Sequence, residues 1–134
     1  MKDRPKFRIW DKKENKWHEP IFEAYAGRLH DLFIGTTGEL FAHTMKGVEH
    51  ESLWPNRYEV VMFTGLCDKK GREIYEGDII SNGYGVGVIF WDNTSCAFKI
   101  RWHKTVLDSD VSWIPFKGMK HNEVIDNIYE NLNY

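Results

Sequence analysis

The feature that most restricts the fold of this chain is a glycine-punctuated run from Thr64 to Ile80, TGLCDKKGREIYEGDII. Its three glycines, Gly65, Gly71 and Gly77, fall within 13 residues and argue against a helix, in which each would cost about 1 kcal/mol. Asp68 opens a segment with the composition of a tight turn, because Asp can bond to the backbone two residues on and Gly71 can adopt a positive φ. The β-branched pair that ends the run suits a strand. The run therefore predicts strands joined by tight turns.

The clearest strand pattern elsewhere is an alternation of apolar and polar residues between positions 96 and 102. The predicted apolar face consists of Cys96, Phe98, Ile100 and Trp102, and the predicted wet face of Ala97, Lys99 and Arg101. Such a pattern is typical of an antiparallel sheet with one buried and one solvated face.

Most other segments also resemble short strands. The predicted strands and connections include Lys6–Trp10, Lys16–Tyr25, a hairpin at Gly35–Gly38, Tyr58–Phe63 and Val86–Trp91. We place a boundary at the breaker Leu53–Asn56. We expect a mainly β protein in which an N-terminal β subdomain, residues 1–56, packs with a C-terminal SH3-like small β-barrel, residues 57–134. Gly83, Gly85 and Gly87 suit strand bends or close backbone approaches in that barrel, and no helix start follows them as a phosphate loop would require.

Three pieces of the chain, in order, resemble the YopX family of small phage and prophage proteins of Gram-positive bacteria. They are the run that begins at Thr64, the opening Phe7–Asp11 and the closing segment Glu123–Asn131. The chain departs from the family at Asp126, where glycine is usual. The resemblance favours a strand near Glu123–Tyr129, although the apolar residues there also fit helical spacing. It implies no established activity, so it carries over no catalytic residue. The structural positions of the central motif are Gly65, Asp68, Gly71, Tyr75, Glu76, Gly77 and Asp78.

Net charge, cysteine spacing and the length of apolar runs restrict the classes of function that we expect for this chain. The formal net charge of −2 and the pI near 6.3 weigh against a general nucleic-acid binder, although a local basic patch is compatible with them. Cys67 and Cys96 lack CxxC spacing and are expected to be reduced thiols. The sequence lacks a long apolar run, and we expect a protein of the bacterial host cytoplasm without a membrane segment.

A carboxylate cluster is the one candidate for chemistry. Glu73, Glu76 and Asp78 lie close in sequence, and a metal-dependent hydrolase built on them is the second alternative for function. The six histidines lack ligand spacing, so turn chemistry, with Asp78 accepting from backbone N–H groups, is favoured. We expect no enzyme activity, catalytic residue, cofactor or bound metal.

Basic residues interleaved with aromatic ones form the candidate binding surface. Its predicted members are Arg8, Trp10, Trp17, Lys99, Arg101 and His103. The leading hypothesis is a non-enzymatic phage or prophage accessory protein that binds an unidentified protein partner. The first alternative is a single-stranded or structured nucleic-acid binder, which the low net charge disfavours. Self-association is also expected, with Phe7–Trp17 as the contact, because its two tryptophans suit an interface anchor if they are exposed. The alternative is that these tryptophans pack onto the barrel of the same chain.

Overall fold

The computed structural model describes residues 4–103, 111–114 and 118–131 of the 134-residue chain. Within these ranges the chain forms strands and two short 3₁₀ helices, Ala24–Ala26 and Glu51–Leu53. The strands are β1 (Phe7–Asp11), β2 (Lys16–Trp17), β3 (Ile21–Glu23), β4 (Arg28–Ile34), β5 (Leu40–Thr44), β6 (Gly47–His50), β7 (Tyr58–Cys67), β8 (Glu73–Tyr75), β9 (Asp78–Ser81), β10 (Val86–Asp92), β11 (Ala97–His103), β12 (Val111–Trp113) and β13 (Glu123–Asn127). The prediction of a mainly β protein is confirmed. In the described ranges, neither helix has the length and apolar character that a membrane crossing requires.

The chain divides into two compact units. One unit is Ile9–Val60, and the other combines Met1–Arg8 with Val61–Tyr134. Strands β1 and β7 each contain residues of both units. The predicted domain boundary between residues 56 and 57 stays a prediction.

The Ile9–Val60 unit contains a four-stranded antiparallel sheet in the order β3-β4-β5-β6. The predicted hairpin joins β4 to β5: the Gly38 N–H donates to the Gly35 carbonyl oxygen at 2.9 Å, and the Gly35 N–H donates to that of Glu39 at 2.8 Å. The buried core of this unit consists of Ile9, Leu32, Leu40 and Ala42, with Ile34, Trp54, Tyr58 and Val60 packed against it.

The second unit contains a five-stranded antiparallel sheet in the order β12-β11-β10-β9-β13, which curls into a half-barrel. Gly87 faces Trp102 across the strand pair, and a Cβ atom at Gly87 would lie 2.6 Å from Cγ2 of Ile100. Gly87 therefore marks a close approach, as predicted, whereas the SH3-like form of the barrel stays a prediction. The buried core consists of Ile74, Ile80, Ile89, Ile100, Met119 and Val124.

Within Ile9–Val60, β1 pairs antiparallel with β2, and within the other unit β7 pairs antiparallel with β8. Strand β7 continues beyond the predicted end at Phe63 as far as Cys67. The register of β7 against β8 shifts between these two residues, and Gly65 between them has a φ of +86°. The first glycine of the motif thus lies at a bulge, where positive φ is a common requirement.

Two predicted strands are wrong in part. Lys16–Tyr25 is interrupted, because β2 ends at Trp17 and Ala24 begins a 3₁₀ helix. The intervening Pro20 lacks the N–H that a continuous ladder would need. Cys96 does not belong to the apolar face of β11, because it is exposed and has a φ of +52° at the end of the preceding turn.

The other residues of that apolar face are placed as predicted. Ile100 is 1% exposed in the core, and Phe98 and Trp102 pack against it. At the C-terminal end, the predicted strand is confirmed over Glu123–Asn127. The segment then turns, with the Asn127 Oδ1 atom accepting hydrogen bonds from the two backbone N–H groups of residues 129 and 130.

Candidate binding surface

The five-stranded sheet presents a solvent-facing group of side chains on β10, β11 and β12, opposite the core. Cross-strand register aligns Phe90, Lys99 and Trp113 in one row. A second row aligns Val88, Arg101 and Val111. Because alternate residues of a strand point to opposite faces, both rows lie on the face opposite Ile89 and Ile100. We call these residues the outer patch: Val88, Phe90, Lys99, Arg101, Val111 and Trp113.

Each cation of the outer patch lies over an aromatic ring. The Lys99 Nζ atom is 4.2 Å from the ring centroid of Trp113, and the Arg101 Cζ atom is 4.6 Å from that of Phe90. Such contacts hold a cation above the negative face of a ring. The apolar surface is open, since Val111 is 48% and Trp113 is 61% exposed. The patch therefore combines accessible aromatic area with positive charge.

Lys99 and Arg101 differ in their electrostatic surroundings. The Lys99 Nζ atom lies 2.8 Å from Oδ2 of Asp92, and its side chain is 14% exposed. The expectation that Lys99 is solvent-exposed is therefore wrong, because the turn carboxylate and Trp113 cover it. Arg101 is exposed as predicted, and no described carboxylate lies within ion-pair distance of it.

The carboxylate of Asp92 is fixed by its own turn as well as by the lysine. It accepts from the Thr94 N–H at 2.9 Å and from the Ser95 hydroxyl at 2.8 Å. The hydrogen bond from Lys99 is the largest cause of a lowered pKa at Asp92. Together with the two hydrogen bonds of the turn, it holds the pKa of Asp92 far below its usual range. Asp92 therefore stays charged at any physiological pH and keeps Lys99 paired.

The other predicted surface residues have different settings. Arg8 lies in the same unit, where Nη2 donates to Oδ1 of Asp78 at 2.5 Å and the guanidinium lies 4.4 Å from the Tyr75 ring centroid. His103 is half-buried at the end of β11, directly opposite Val86. The assignment of these residues to one binding surface stays a prediction.

The two tryptophans of the N-terminal segment contact each other. Trp10 and Trp17 are directly opposite on β1 and β2, with ring centroids 5.0 Å apart in an edge-on arrangement. Trp10 is 6% exposed, so it is part of the interior rather than an exposed anchor. Trp10 therefore does not meet the condition of exposure on which an interface anchor in Phe7–Trp17 depends. Self-association itself stays a prediction.

The central motif holds its turns with buried carboxylates. Oδ1 of Asp68 accepts from the N–H groups of Lys70 and Arg72, both at 2.9 Å, and Oδ2 accepts from that of Val124 at 2.9 Å. Burial opposes ionisation of Asp68, but these hydrogen bonds outweigh it and lower its pKa. The motif thus connects the β7–β8 turn directly to β13.

Asp78 shows the opposite balance. It is 2% exposed and accepts from the Tyr75 N–H at 2.8 Å as well as from Arg8. Burial is the dominant cause and raises the pKa of Asp78 despite these two donors. The predicted bond to the backbone is confirmed. Gly77 precedes it with a φ of +84°, as a turn glycine would.

Two carboxylates of the predicted acidic cluster form ion pairs. Glu73 pairs with Lys6, and Asp78 pairs with Arg8. Across the described ranges, no three His, Cys, Asp or Glu side chains are grouped so that they could hold a metal ion. Glu73 is therefore held in an ion pair, and Asp78 is held both in an ion pair and by the Tyr75 N–H.

A groove of about 440 Å³ lies within the Ile9–Val60 unit. Its size lies in the range of small-molecule sites. However, its cations are already paired: Lys12 lies 3.2 Å from Glu59, and Arg57 donates to Asp11 at 2.9 Å. The groove therefore offers less unpaired polar chemistry than the outer patch.

The sequence did not identify the aromatic members of the outer patch. Phe90 and Trp113 are distant in sequence from each other and become neighbours of Lys99 through strand register. The alternation Val111-Ser112-Trp113 indicates a strand with two residues on one side, but its pairing with β11 cannot be read from composition.

Comparisons with known proteins agree on the family. The structure is similar to the crystal structure of protein EF1440 from Enterococcus faecalis, at 25% identity and a TM-score of 0.55, over 97% of this chain and 96% of that one. It is also similar to the X-ray structure of yopX from Bacillus subtilis, at 18% identity and a TM-score of 0.54, over 95% and 94% of the two chains. A search of curated proteins finds no match. A family model described as YopX protein matches residues 6–133, and the chain therefore belongs to the YopX family.

Proposed function

We propose that this protein is a phage or prophage accessory protein that acts in the host cytoplasm as a non-enzymatic protein-binding module. The outer patch is the contact surface. The observation that carries the proposal is the exposure of Trp113 beside Val111 and the cation Arg101. Tryptophan and arginine are among the residues most enriched at the energetic centres of protein interfaces.

The alternative of nucleic-acid binding uses the same residues. Aromatic rings beside cations can stack on bases and pair with phosphates. However, affinity for nucleic acid grows with the number of phosphates that the protein neutralises. Asp92 already neutralises Lys99, and the whole chain has a formal net charge of −2. These charges favour a protein partner.

Site-specific photo-crosslinking tests the proposal. Trp113 is replaced by p-benzoylphenylalanine, and the full chain is irradiated in host cells. We expect an adduct that protease removes and nuclease leaves intact, because the probe occupies the exposed centre of the patch. The matched control carries the same probe at Tyr84, which is 99% exposed between β9 and β10 in the same unit.

The outcomes separate the functions. A protein adduct at Trp113 that is absent at Tyr84 supports the protein-binding module. A nuclease-sensitive adduct at Trp113 supports the nucleic-acid alternative. Equal protein adducts at both positions, or none at Trp113, contradict the proposal that the outer patch is the contact surface.

A further inference from the structure

We infer that the outer patch recognises a peptide segment in which an acidic side chain lies beside an apolar one. This inference rests on the proposed function and specifies the chemistry of its partner. It follows from three properties of the patch: one available cation, its stacking on a ring, and the open apolar surface next to it.

The first property is that one of the two cations is paired with a carboxylate and the other is not paired with any described one. Lys99 is paired with Asp92 at 2.8 Å, and that carboxylate is held in its charged form first by Lys99 and then by the hydrogen bonds of its own turn. Arg101 is exposed and lacks a described acidic partner. Within the part of the chain that the structure describes, a ligand at the outer patch therefore meets one positive charge without an acidic partner. This suits a single carboxylate better than a phosphate backbone, which needs several cations.

The second property is the stacking of Arg101. Its Cζ atom lies 4.6 Å from the Phe90 ring centroid. The N–H donors of a guanidinium lie in its plane, so stacking on a ring leaves them able to bind the two oxygens of a carboxylate. Contact with the ring also limits the rotamers of the side chain, which lowers the entropy lost on binding.

The third property is the apolar border. Val111 lies directly opposite Arg101 on β12, and Trp113 lies opposite Lys99. Directly opposite Cβ atoms in an antiparallel pair are about 4.5–5.5 Å apart. An apolar side chain next to the acidic one would therefore contact Val111 or Trp113 while the carboxylate pairs with Arg101.

Peptide titration of the full-length, ¹⁵N-labelled protein tests the inference. The probes are the capped peptides Ser-Leu-Glu-Phe-Glu-Ser and Ser-Leu-Lys-Phe-Lys-Ser, and the signal is the indole N–H of Trp113, assigned with Trp113→Phe. We expect the acidic peptide to bind at least about tenfold more tightly than the basic one, as a charge-assisted hydrogen bond would give.

The variants that test this inference replace exposed residues, whose substitution should leave the fold intact. Arg101→Gln should weaken binding of the acidic peptide about tenfold, and Arg101→Lys should fall between it and the native chain because lysine lacks the planar fork. The control Lys46→Gln removes an equal charge from the exposed β5–β6 turn and should leave affinity unchanged.

Three results would overturn the inference: equal affinity for the two peptides, equal loss in Arg101→Gln and Lys46→Gln, or shifts confined to residues outside the patch. The crosslinking result distinguishes this failure from failure of the proposed function. A protein adduct at Trp113 without a preference for acidic peptides overturns the inference alone. A preference for acidic peptides without a protein adduct contradicts the proposed function alone.

Discussion

The buried carboxylates of the glycine motif and the buried ring of His18, which lie in different units of the chain, differ in how their polar atoms are hydrogen-bonded. In the unit that contains Val61–Tyr134, the buried carboxylates of Asp68 and Asp78 both accept hydrogen bonds from backbone N–H groups. In Ile9–Val60, the His18 side chain is 10% exposed, and its Nε2 atom is buried without a hydrogen-bond partner among the described residues. Unsatisfied buried groups cost about 1–3 kcal/mol. The glycine motif therefore fixes its two buried carboxylates with backbone N–H groups, whereas the titratable ring of His18 has no such donor or acceptor at Nε2 among the described residues.

The largest expected effect is at Gly77, where the motif depends on backbone geometry. Gly77→Val should lower the free energy of unfolding by about 3 kcal/mol or more, because strain and overpacking add. The φ is +84°, and a Cβ atom would lie 2.6 Å from Cε2 of Tyr129. Urea denaturation at pH 7 measures the loss.

Gly38→Val is the matched control in the other unit. Gly38 has a φ of +87°, and a Cβ atom added there would meet open space, so only backbone strain of about 1–2 kcal/mol applies. Equal losses for the two variants would show that packing around Gly77 adds nothing.

The next effect concerns Asp68, whose carboxylate accepts three backbone hydrogen bonds. Asp68→Asn should cost about 1–3 kcal/mol at pH 7, because an amide nitrogen would replace one accepting oxygen. The exposed carboxylate variant Glu19→Gln serves as control and should stay within about 0.5 kcal/mol.

The pH dependence of Asp68 gives a second check. Its pKa is lowered in the folded state, so its contribution is present above the unfolded value of about 3.9 and is lost as pH falls through the folded value. The cost of Asp68→Asn should therefore shrink when unfolding is measured at progressively lower pH below about 4. A constant cost would mean that the charge of Asp68 does not contribute.

The buried ring of His18 should make the stability of the protein depend on pH. Burial is the main cause that lowers the pKa of His18, and the nearby ring of His30 lowers it further. Asp31 and Asp11 raise this pKa, and Arg57 makes a smaller contribution that lowers it. The unfolded state then binds more protons, so stability should fall as pH decreases below about 6.5. His18→Gln should reduce the slope of unfolding free energy against pH in this window.

The control for that slope is His121→Gln, which removes an exposed imidazole from the other unit. Its slope should match that of the native chain. If His121→Gln flattens the profile as much as His18→Gln, the pH sensitivity does not belong to the buried ring.

The sequence predicts local structure well where turn chemistry and alternation are decisive. Asp68, Gly71 and Gly77 indicate their turns through side-chain acceptors and positive φ, and Ile100 follows from a two-residue period. The outer patch depends instead on which strands become neighbours. Trp113 reaches Lys99 through the pairing of β11 with β12, which local patterns do not encode.

The pairing of Lys99 with Asp92, which leaves the lysine side chain 14% exposed, is not predicted from the sequence for a related reason. Alternation assigns Lys99 to the wet face correctly, but it does not show that the Asp92 turn brings a carboxylate to 2.8 Å. Charge pairing across a hairpin depends on the length and geometry of the turn as well as on the strand period. Local sequence patterns therefore identify the two charged residues without predicting their contact.

The smallest expected loss of stability is at Arg101, and it differs from the loss expected at Lys99, the other cation of the outer patch. Arg101→Ala should lower the free energy of unfolding by about 0.5–1 kcal/mol at most, because this exposed side chain has no described ion pair and loses only its contact with the Phe90 ring. Lys99→Ala should lower the melting temperature more than Arg101→Ala does, since it removes both the ion pair with Asp92 and the contact with Trp113.

Thermal melts of Lys99→Ala, Asp92→Asn and the double variant measure the coupling between the charges of Lys99 and Asp92. Added salt should reduce that coupling, because the pair lies at the surface. Additive single effects at low salt would show that Lys99 is as available to a ligand as Arg101, and the patch would then have two free cations rather than one.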